Sequence, residues 1–386
     1  MRSTGRKVLP VVTSVCNHFV AGTRLFGTKR REVFLPKADS FLPFGDNFRA
    51  YNMVDKTIDV VLVKGDASVT SEIPVTDLYK GFRSVEMFSC LGVWSKAERH
   101  AFWVANERES ADNAGKKPQN VFDVSKLALN IKECGIYGST VLFAHCVTST
   151  QSIIHDLCGG FPDGTVCVAD VQTNGRGRGS NEWSSPPGCL LFSYTSAVRD
   201  GRTLPLVQYL VCLAIVKAVK SLPGMGGLDI GIKWPNDIYV NKKVKIGGIL
   251  CQSICQGAKF KVTIGVGLNV DNSEPTTCLN DLGEEPVSRE QVLGRILEHY
   301  ESLLLEFEHD GFEKRIQGEY EKAWLHSGQT VTLKEENDAV AVIEGLNPAS
   351  GGCLLARVPE TGQLYELYPD GNRLDFFNGL ISKKKL

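Results

Sequence analysis

From residue 138 onward, short apolar runs alternate with glycine-rich turns and with long helical segments. Six runs have the length and composition of strands: STVLFAHCV, GTVCVAD, CLLFSYTSA, GIKWPNDIYV, KIGGILCQSI and FKVTIGVGLNV. Between the third and fourth runs, residues 205–219 carry apolar side chains at helical spacing, and Pro223 and Gly224 end that segment. This alternation predicts an α+β fold in which flanking helices cover a mixed sheet.

Two further helices and a separate small β module are predicted beyond this region. Ser288 and Gln291 have the spacing of a capping box, so a helix begins there and ends before Gly311. A second helix is predicted from Phe312 to Leu325. The following runs QTVTL, AVAVIEGLN, GGCLLARV and GQLYELYP are short and divided by turn residues, which is typical of a small β-barrel.

The N-terminal third differs in composition from the rest of the chain. Glu32 is the first acidic residue and follows seven arginines and lysines, so residues 1–35 are predicted to be a transit peptide for the chloroplast, the mitochondrion or both. A basic, frayed terminus on a cytosolic protein is the alternative. Residues 36–135 contain no recognisable chemistry and no clear helix-turn-helix, which argues against DNA binding by this region.

Length and charge exclude several classes of protein. A chain of 386 residues exceeds one typical core and predicts two or three domains. A net charge of -1 provides no global field for nucleic acid or anionic membranes. The twelve cysteines include no Cys-x-x-Cys pair and are expected to be reduced core residues. The apolar segment from Leu206 to Val219 is too short to span a bilayer, so no membrane span is expected.

The segment DVQTNGRGRGSNEW places Arg176 and Arg178 between three glycines. Glycines allow a ligand to approach the backbone, and guanidinium groups match carboxylate or phosphate oxygens, so two of them predict a polyanion or two anions. The segment lacks the complete dinucleotide fingerprint, and no P-loop consensus occurs in the chain. A solvated turn and a nonspecific RNA-binding segment remain alternatives. Trp183 is predicted either to stack on a purine or to belong to the core.

The motif KWPNDIYV contains a second group of charged residues. Pro235 interrupts a strand-like run and therefore predicts a sheet edge or a bulge that turns side chains toward a cleft. Lys233 is a candidate cation at a reaction centre, and Asp237 is a candidate to orient a basic group or to hold Mg²⁺. Lys245 is a candidate phosphate ligand. Solvated surface charges are the alternative for all three residues.

Two polar motifs complete the set of candidates. Ser149, Thr150 and Gln151 follow an apolar strand and offer hydroxyl and amide groups that suit a neutral polar ligand such as a ureido ring. Their alternative role is to cap a helix. Asn269 ends the run GVGLN and is a candidate ligand of a ribose or phosphate oxygen.

In this order the motifs T-S-T-Q, D-x-Q-x-x-G-R-G-R with its tryptophan, K-W-P-N-D-I-Y-V, K-I-G-G-I-L and G-V-G-L-N-V resemble those of the biotin-protein ligases. The resemblance covers roughly two thirds of the chain and is strongest to holocarboxylase synthetases of the plant and eukaryotic type. It implies a class II synthetase-like catalytic domain over residues 136–325 and an SH3-like β-barrel over residues 326–386. Gln151 departs from the asparagine that is usual in bacterial members.

The resemblance also implies an activity. Such enzymes form a C–N bond: they activate biotin with MgATP to biotinyl-5'-adenylate and pass biotin to one lysine of an apo-carboxylase carrier domain, such as that of acetyl-CoA carboxylase. Lipoate-protein ligases and biotin-sensing repressors are the related alternatives.

Site roles follow from the resemblance residue by residue. Lys233 and Arg178 are the implied catalytic residues, and Asp237 is the implied Mg²⁺ ligand. The implied ATP contacts are Trp183, Lys245 and Asn269. The implied biotin contacts are Ser149, Thr150, Gln151, Gln172, Arg176, Gly177, Arg178 and Lys233.

Overall fold

The structure is a computed structural model of the chain. It describes the backbone of residues 48–55, 58–65, 90–95 and 100–105, and the backbone and side chains of residues 121–157, 162–313 and 315–383. The predicted transit segment and most of residues 36–120 lie outside the described residues.

One mixed sheet of nine strands organises the larger part of the described chain. Two earlier strands, β1 (Phe48–Asp55) and β2 (Ile58–Gly65), pair only with each other within the described residues. The nine strands are β3 (Cys90–Ser95), β4 (His100–Ala105), β5 (Thr140–Val147), β6 (Val166–Gln172), β7 (Cys189–Val198), β8 (Ile230–Lys233), β9 (Asp237–Val240), β10 (Val244–Gln256) and β11 (Lys259–Asn269). Their order is β4-β3-β5-β6-β7-β11-β10-β9-β8, and β5 and β6 are parallel. The predicted mixed sheet is therefore confirmed.

The motif KWPNDIYV forms a hairpin rather than the single strand that its sequence indicated. Lys233 at the end of β8 pairs with Asp237 at the start of β9, and the chain reverses between them. Pro235 has no N–H to donate, so a ladder cannot continue through it. The hairpin lies at one edge of the sheet, as the proline predicted.

Helices cover the sheet on the side that forms the hydrophobic core. They are α1 (Val124–Asn130), α3 (Val207–Ser221), α4 (Leu279–Leu282), α5 (Arg289–Asp310) and α6 (Arg315–Ala323), with 3-10 turns at Gly201–Leu206 and Pro348–Ser350. The helix α2 (Thr150–Leu157) lies on the opposite face, where Thr150 contacts Ser193 and Gln151 lies next to Gly265. The capping box of Ser288 and Gln291 is present at the start of α5. The last helix ends at Ala323, two residues earlier than predicted.

The 3-10 turn at Gly201–Leu206 and α3 together are longer than the sequence indicated. Over 21 residues they are long and apolar enough to cross a membrane by length and composition alone. However, 67% of the most apolar window is buried inside the protein, as in a core helix. The expectation that this segment is too short for a membrane was therefore wrong, because the 3-10 turn extends it.

Alternation along β11 separates the core from the opposite face of the sheet. Ile264, Val266 and Leu268 join the core cluster, whereas Gly265 and Gly267 point to the other side. Because those glycines add no side chain, Gln151 and Trp183 can lie directly against that face of the sheet.

The C-terminal β domain is a second sheet of six strands, two more than the sequence predicted. They are β12 (Thr330–Leu333), β13 (Ala339–Asn347), β14 (Cys353–Arg357), β15 (Leu364–Leu367), β16 (Asn372–Asp375) and β17 (Leu380–Lys383). The small β domain is confirmed, but its order β15-β14-β13-β12-β17-β16 is open rather than a closed barrel within the described residues. The proposed boundary at residue 136 crosses the first sheet, because β3 pairs with β5, and the domain limits stay a prediction.

His326 connects the two parts of the fold and is fully buried. Its Nε2 accepts a hydrogen bond from the backbone N–H of Trp234 at 2.9 Å, so Nδ1 carries the proton and donates to Gln329 Oε1 at 2.9 Å. Burial lowers the pKa of His326 from 6.5 to about 4. Protonation would remove the acceptor that Trp234 uses.

We expect the stability of the protein to fall as the pH drops from about 6.5 to about 4 because of this residue. As the pH falls, His326 is protonated in the unfolded chain at a higher pH than in the folded protein. This difference lowers the free energy of unfolding by about 3 kcal/mol across that window. Urea unfolding at a series of pH values measures the slope. The variant His326→Gln has no titrating group, so its stability should vary less over the same window, and identical slopes would contradict the assignment.

Candidate active site

A cavity of about 1090 Å³ opens between the nine-stranded sheet and the C-terminal β domain. Its volume lies just above the usual range for small-molecule sites, about 300–1,000 Å³. The site residues predicted from the sequence that line it are Ser149, Thr150, Gln151, Gln172, Arg176, Gly177, Arg178, Trp183, Lys233, Asp237 and Lys245. The structure therefore brings together motifs that are up to about a hundred residues apart in the chain.

A neutral polar pocket lies where β5 leads into α2. The Thr150 N–H and hydroxyl both donate to Gln172 Oε1, at 2.8 and 3.0 Å, and the same hydroxyl lies 2.9 Å from the Ser193 hydroxyl. Gln172 Nε2 donates to Ser185 Oγ at 3.1 Å. These bonds fix the orientation of the Gln172 amide. Ser193 was not predicted, because serine inside an apolar strand carries no signal of its own.

Two buried oxygens in this pocket have no hydrogen-bond partner among the described residues: Ser149 Oγ and Gln151 Oε1. The Ser149 hydroxyl therefore does not cap α2, which was its alternative role. The Gln151 amide is anchored from its other side, since Nε2 donates to Gln252 Oε1 at 3.0 Å and to the Thr263 carbonyl at 3.3 Å. Buried polar atoms are nearly always paired, so both oxygens are positioned for a ligand.

Glycines form the floor of the cavity next to this pocket. Gly265 and Gly267 of β11 and Gly248 of β10 all line it. A Cβ atom at Gly265 would lie 2.4 Å from Gln151 Oε1, and one at Gly267 would lie 2.4 Å from Trp183 Cε2. Only glycine permits these approaches, and the indole of Trp183 consequently packs directly on the sheet as part of the cavity wall.

The arginine segment forms a closed hairpin above this floor. Trp183 N–H donates to the Gly175 carbonyl at 2.9 Å, and Gly177 N–H donates to the Asn181 carbonyl at 2.8 Å. Gly179 turns the tip with a φ of 65°. Backbone hydrogen bonds thus fix the base of the segment. The turn that was predicted from its glycines is limited to the tip.

The two arginines have different surroundings. Arg176 is exposed at the cavity, and its guanidinium makes no hydrogen bond or ion pair with the part of the chain that the structure describes. Arg178 is partly buried and donates to Asn236 Oδ1 at 3.2 Å, to the Pro369 carbonyl at 2.9 Å and to Asp370 Oδ1 at 2.9 Å. Asn236 is itself held by a 2.6 Å hydrogen bond to the Ile249 carbonyl.

Two lysines share one carboxylate at the opposite wall. Asp237 Oδ1 lies 2.7 Å from Lys245 Nζ, and Asp237 Oδ2 lies 4.0 Å from Lys233 Nζ. Burial lowers the pKa of Lys233, and the neighbouring Asp237 opposes that shift. Lys245 Nζ also lies 5.6 Å from the centre of the Trp183 ring. With a single carboxylate between two ammonium groups, this wall retains a net positive charge.

The C-terminal β domain supplies a third side of the cavity that sequence reasoning missed. Its lining residues are Asp370, Asn372, Arg373, Leu374, Ser382 and Lys383. Counting both parts, six cationic and three acidic side chains line the cavity, which favours an anionic ligand. No sequence motif marks these residues, because their place in the site depends on how the second sheet packs against the first.

Asn269 is the one predicted site residue that does not line the cavity. Its Nδ2 donates to Thr276 Oγ1 at 3.0 Å and to the Thr277 carbonyl at 3.1 Å. Thr276 Oγ1 in turn donates to the Lys245 carbonyl at 3.5 Å. The amide is therefore used to hold the loop after β11 and contributes to the position of the Lys245 backbone.

Comparison with known proteins identifies relatives of the chain. The model of the biotin/lipoate A/B protein ligase family matches residues 143–269. Biotin–protein ligase 2 of Arabidopsis thaliana is 43% identical over 64% of this chain and 78% of its own length. Biotin–protein ligase 1, chloroplastic, of the same plant is 42% identical over 71% of this chain and 77% of its own.

A solved structure, the biotin protein ligase from Aquifex aeolicus in complex with biotin and ATP, is 26% identical with a TM-score of 0.48 and covers 64% of this chain and 99% of that one. The two plant ligases align over more than three quarters of their own length at more than 40% identity. The chain therefore belongs to the family of biotin–protein ligases of the eukaryotic type.

Proposed function

We propose that this chain activates biotin with ATP to biotinyl-5'-adenylate and then transfers biotin to a lysine of biotin carrier domains. One observation carries the proposal: a single cavity contains a neutral polar pocket and, next to it, a cluster of cations. An uncharged ring with a carboxylate tail and a nucleotide with its phosphates match these two parts. Apo-carboxylases such as acetyl-CoA carboxylase are the proposed acceptors.

The polar pocket is proposed to hold the ureido ring of biotin. Ser149 Oγ and Gln151 Oε1 are buried and unpaired within the described chain, and they face a pocket whose remaining amide, Gln172, is already oriented. A ureido ring has two N–H donors and one carbonyl acceptor; Gln151 Oε1 can accept from an N–H, and the Ser149 hydroxyl can accept from an N–H or donate to the carbonyl. Thr150 is proposed to act mainly by fixing Gln172.

The cationic residues are proposed to bring two anions together. A carboxylate that approaches a phosphate opposes a charge of the same sign, and a pair of unit charges about 4 Å apart repels by about 4 kcal/mol at an effective dielectric constant near 20. Lys233 and Arg178, with Arg176 beside them, are proposed to offset this repulsion and to stabilise the charge that grows on the phosphate oxygens. Neither step needs a covalent bond to the protein.

Trp183, Lys245 and Asp237 are assigned to the nucleotide. The indole forms a flat wall on which an adenine can stack, and Lys245 stands next to it for a phosphate. No group of three or more metal-ligating side chains occurs among the described residues. A single carboxylate together with substrate phosphates is a usual way to hold Mg²⁺, and Asp237 would take that role by exchanging its 2.7 Å contact with Lys245 for the metal. Bound there, Mg²⁺ would neutralise phosphate charge.

The reaction is tested by biotin-dependent exchange of labelled pyrophosphate into ATP by the purified chain. We expect exchange with biotin and none with lipoate, because the polar pocket suits a ureido ring and lipoate has none. Omission of biotin serves as the control. Exchange that depends on lipoate would instead assign the chain to the lipoate ligases, and no exchange with either acid would refute the proposed activation step.

The location of the protein is proposed from one relative and from composition. A plant relative is described as chloroplastic, and residues 1–35 of this chain are basic and free of acids up to Glu32. We therefore assign the chain to the chloroplast first, and to the mitochondrion or cytosol as the alternatives.

A further inference from the structure

Arg178 connects the arginine hairpin, residues 175–183, to the C-terminal β domain. Its Nη2 donates to the Pro369 carbonyl and to Asp370 Oδ1, both at 2.9 Å, across 191 and 192 positions in the sequence. The acceptors belong to the turn between β15 and β16. That turn is closed by its own bonds, from Gly371 N–H and Asn372 N–H to the Tyr368 carbonyl.

This contact occupies only part of the guanidinium. Nη2 has two partners in the turn, and Nη1 has one, Asn236. Nε and the second N–H of Nη1 make no hydrogen bond to the described residues, and the side chain lines the cavity. A group with five donors in one plane can therefore be held from one side and still present donors to an anion on the other.

The two partners of the ion pair are very differently exposed. The Arg178 side chain is 22% exposed, whereas the Asp370 side chain is fully exposed. An ion pair with one partner in water is weak, opens readily and is screened by salt. Such a contact contributes little to global stability, but it can control how often a local segment opens.

We propose that Asp370 is a positioning residue that latches the arginine hairpin to the C-terminal β domain. By holding Arg178 at the wall of the cavity, it slows the escape of an anionic acyl-adenylate. The retention part of this inference rests on the proposed function, whereas the latch itself does not.

The latch is tested by hydrogen–deuterium exchange of the full chain without added ligand. In Asp370→Ala the amides of residues 175–183 should exchange about threefold faster or more at low salt, because the hairpin opens more often. Asp370→Asn keeps an acceptor without the charge and should be intermediate. In the parent protein, raising the salt should accelerate the same amides, and in Asp370→Ala this dependence should disappear.

Asp338→Asn is the matched control, because Asp338 forms an exposed ion pair of 2.8 Å with Lys334 in the same β domain and does not line the cavity. It should leave exchange in residues 175–183 unchanged. Unchanged exchange in Asp370→Ala, or the same acceleration in the control, would overturn the latch.

The second measurement follows release of labelled biotinyl-adenylate from the protein. Asp370→Ala should release it several-fold faster, on the order of fivefold, with a smaller change in the rate of its formation. Equal release rates despite faster exchange would overturn the role in retention. If the parent chain forms no adenylate, the proposed function fails, and the exchange result still decides whether the latch exists.

Discussion

Replacing Lys233 by alanine is expected to lower the rate of biotinyl-adenylate formation about 100-fold or more, while the protein stays folded. Loss of one preorganised group that stabilises developing charge typically costs a factor of about 100 to 1,000. The fold should persist because Lys233 ends an edge strand and Asp237 keeps its 2.7 Å contact with Lys245. Single-turnover formation of the adenylate measures the effect.

Two further variants sharpen this test. Lys233→Arg keeps a positive charge and should recover part of the rate. Lys243→Ala removes an exposed lysine of the β9–β10 turn that does not line the cavity, and it should have no effect. Near-normal turnover in Lys233→Ala would eliminate its proposed catalytic role.

The pH profile of the same reaction carries additional information about Lys233. Burial lowers its pKa, so its charge should be lost at a lower pH than for an ordinary lysine, and the rate should fall on the alkaline side accordingly. Arginine does not lose its proton in this range. The alkaline fall should therefore move to higher pH in Lys233→Arg.

Replacing Gly267 by alanine is expected to raise the KM for ATP about tenfold or more. The added Cβ would lie 2.4 Å from the indole of Trp183, so the ring must leave its place on the sheet. Stacking of a base on an aromatic ring is worth about 1–3 kcal/mol, which corresponds to a factor of about 5 to 150 in affinity. Pyrophosphate exchange as a function of ATP concentration measures the change.

Gly318→Ala is the matched control, because no atom lies within 4 Å of the position of its added Cβ. Trp183→Ala should resemble Gly267→Ala, and the double variant should lose little more than either single one, since both act through one ring. A normal KM in Gly267→Ala would show that the indole does not contact the nucleotide.

Part of this site was predictable because its residues lie in short motifs at strand ends. Ser149 to Gln151 lie just after β5, Gln172 ends β6 and Lys233 ends β8. The motifs could therefore be recognised locally, and the resemblance to the ligase family implied that they share one site. The hairpin of KWPNDIYV was harder to predict, because an apolar run with an internal proline reads equally as one interrupted strand or as two.

Other parts depend on contacts that no local pattern encodes. Asn269 was assigned to the ligand by its motif, but its amide binds Thr276 and Thr277, and the path of that loop is not visible in the motif. Asp370, Arg373 and Lys383 enter the cavity only because the second sheet packs beside the first. The strands β16 and β17 are short and polar, so neither apolar length nor alternation marked them.

The glycines that form the floor of the cavity affect how its contacts can be mapped by mutagenesis. At Gly248, Gly265 and Gly267 the main chain supports Trp183, Lys245 and Gln151, and the glycines have no side-chain atoms to delete. Alanine scanning identifies contacts by removing atoms, but at these positions it adds one. A survey based on truncation therefore cannot detect contacts at these positions. A glycine-to-alanine substitution, which adds a methyl group, can test them.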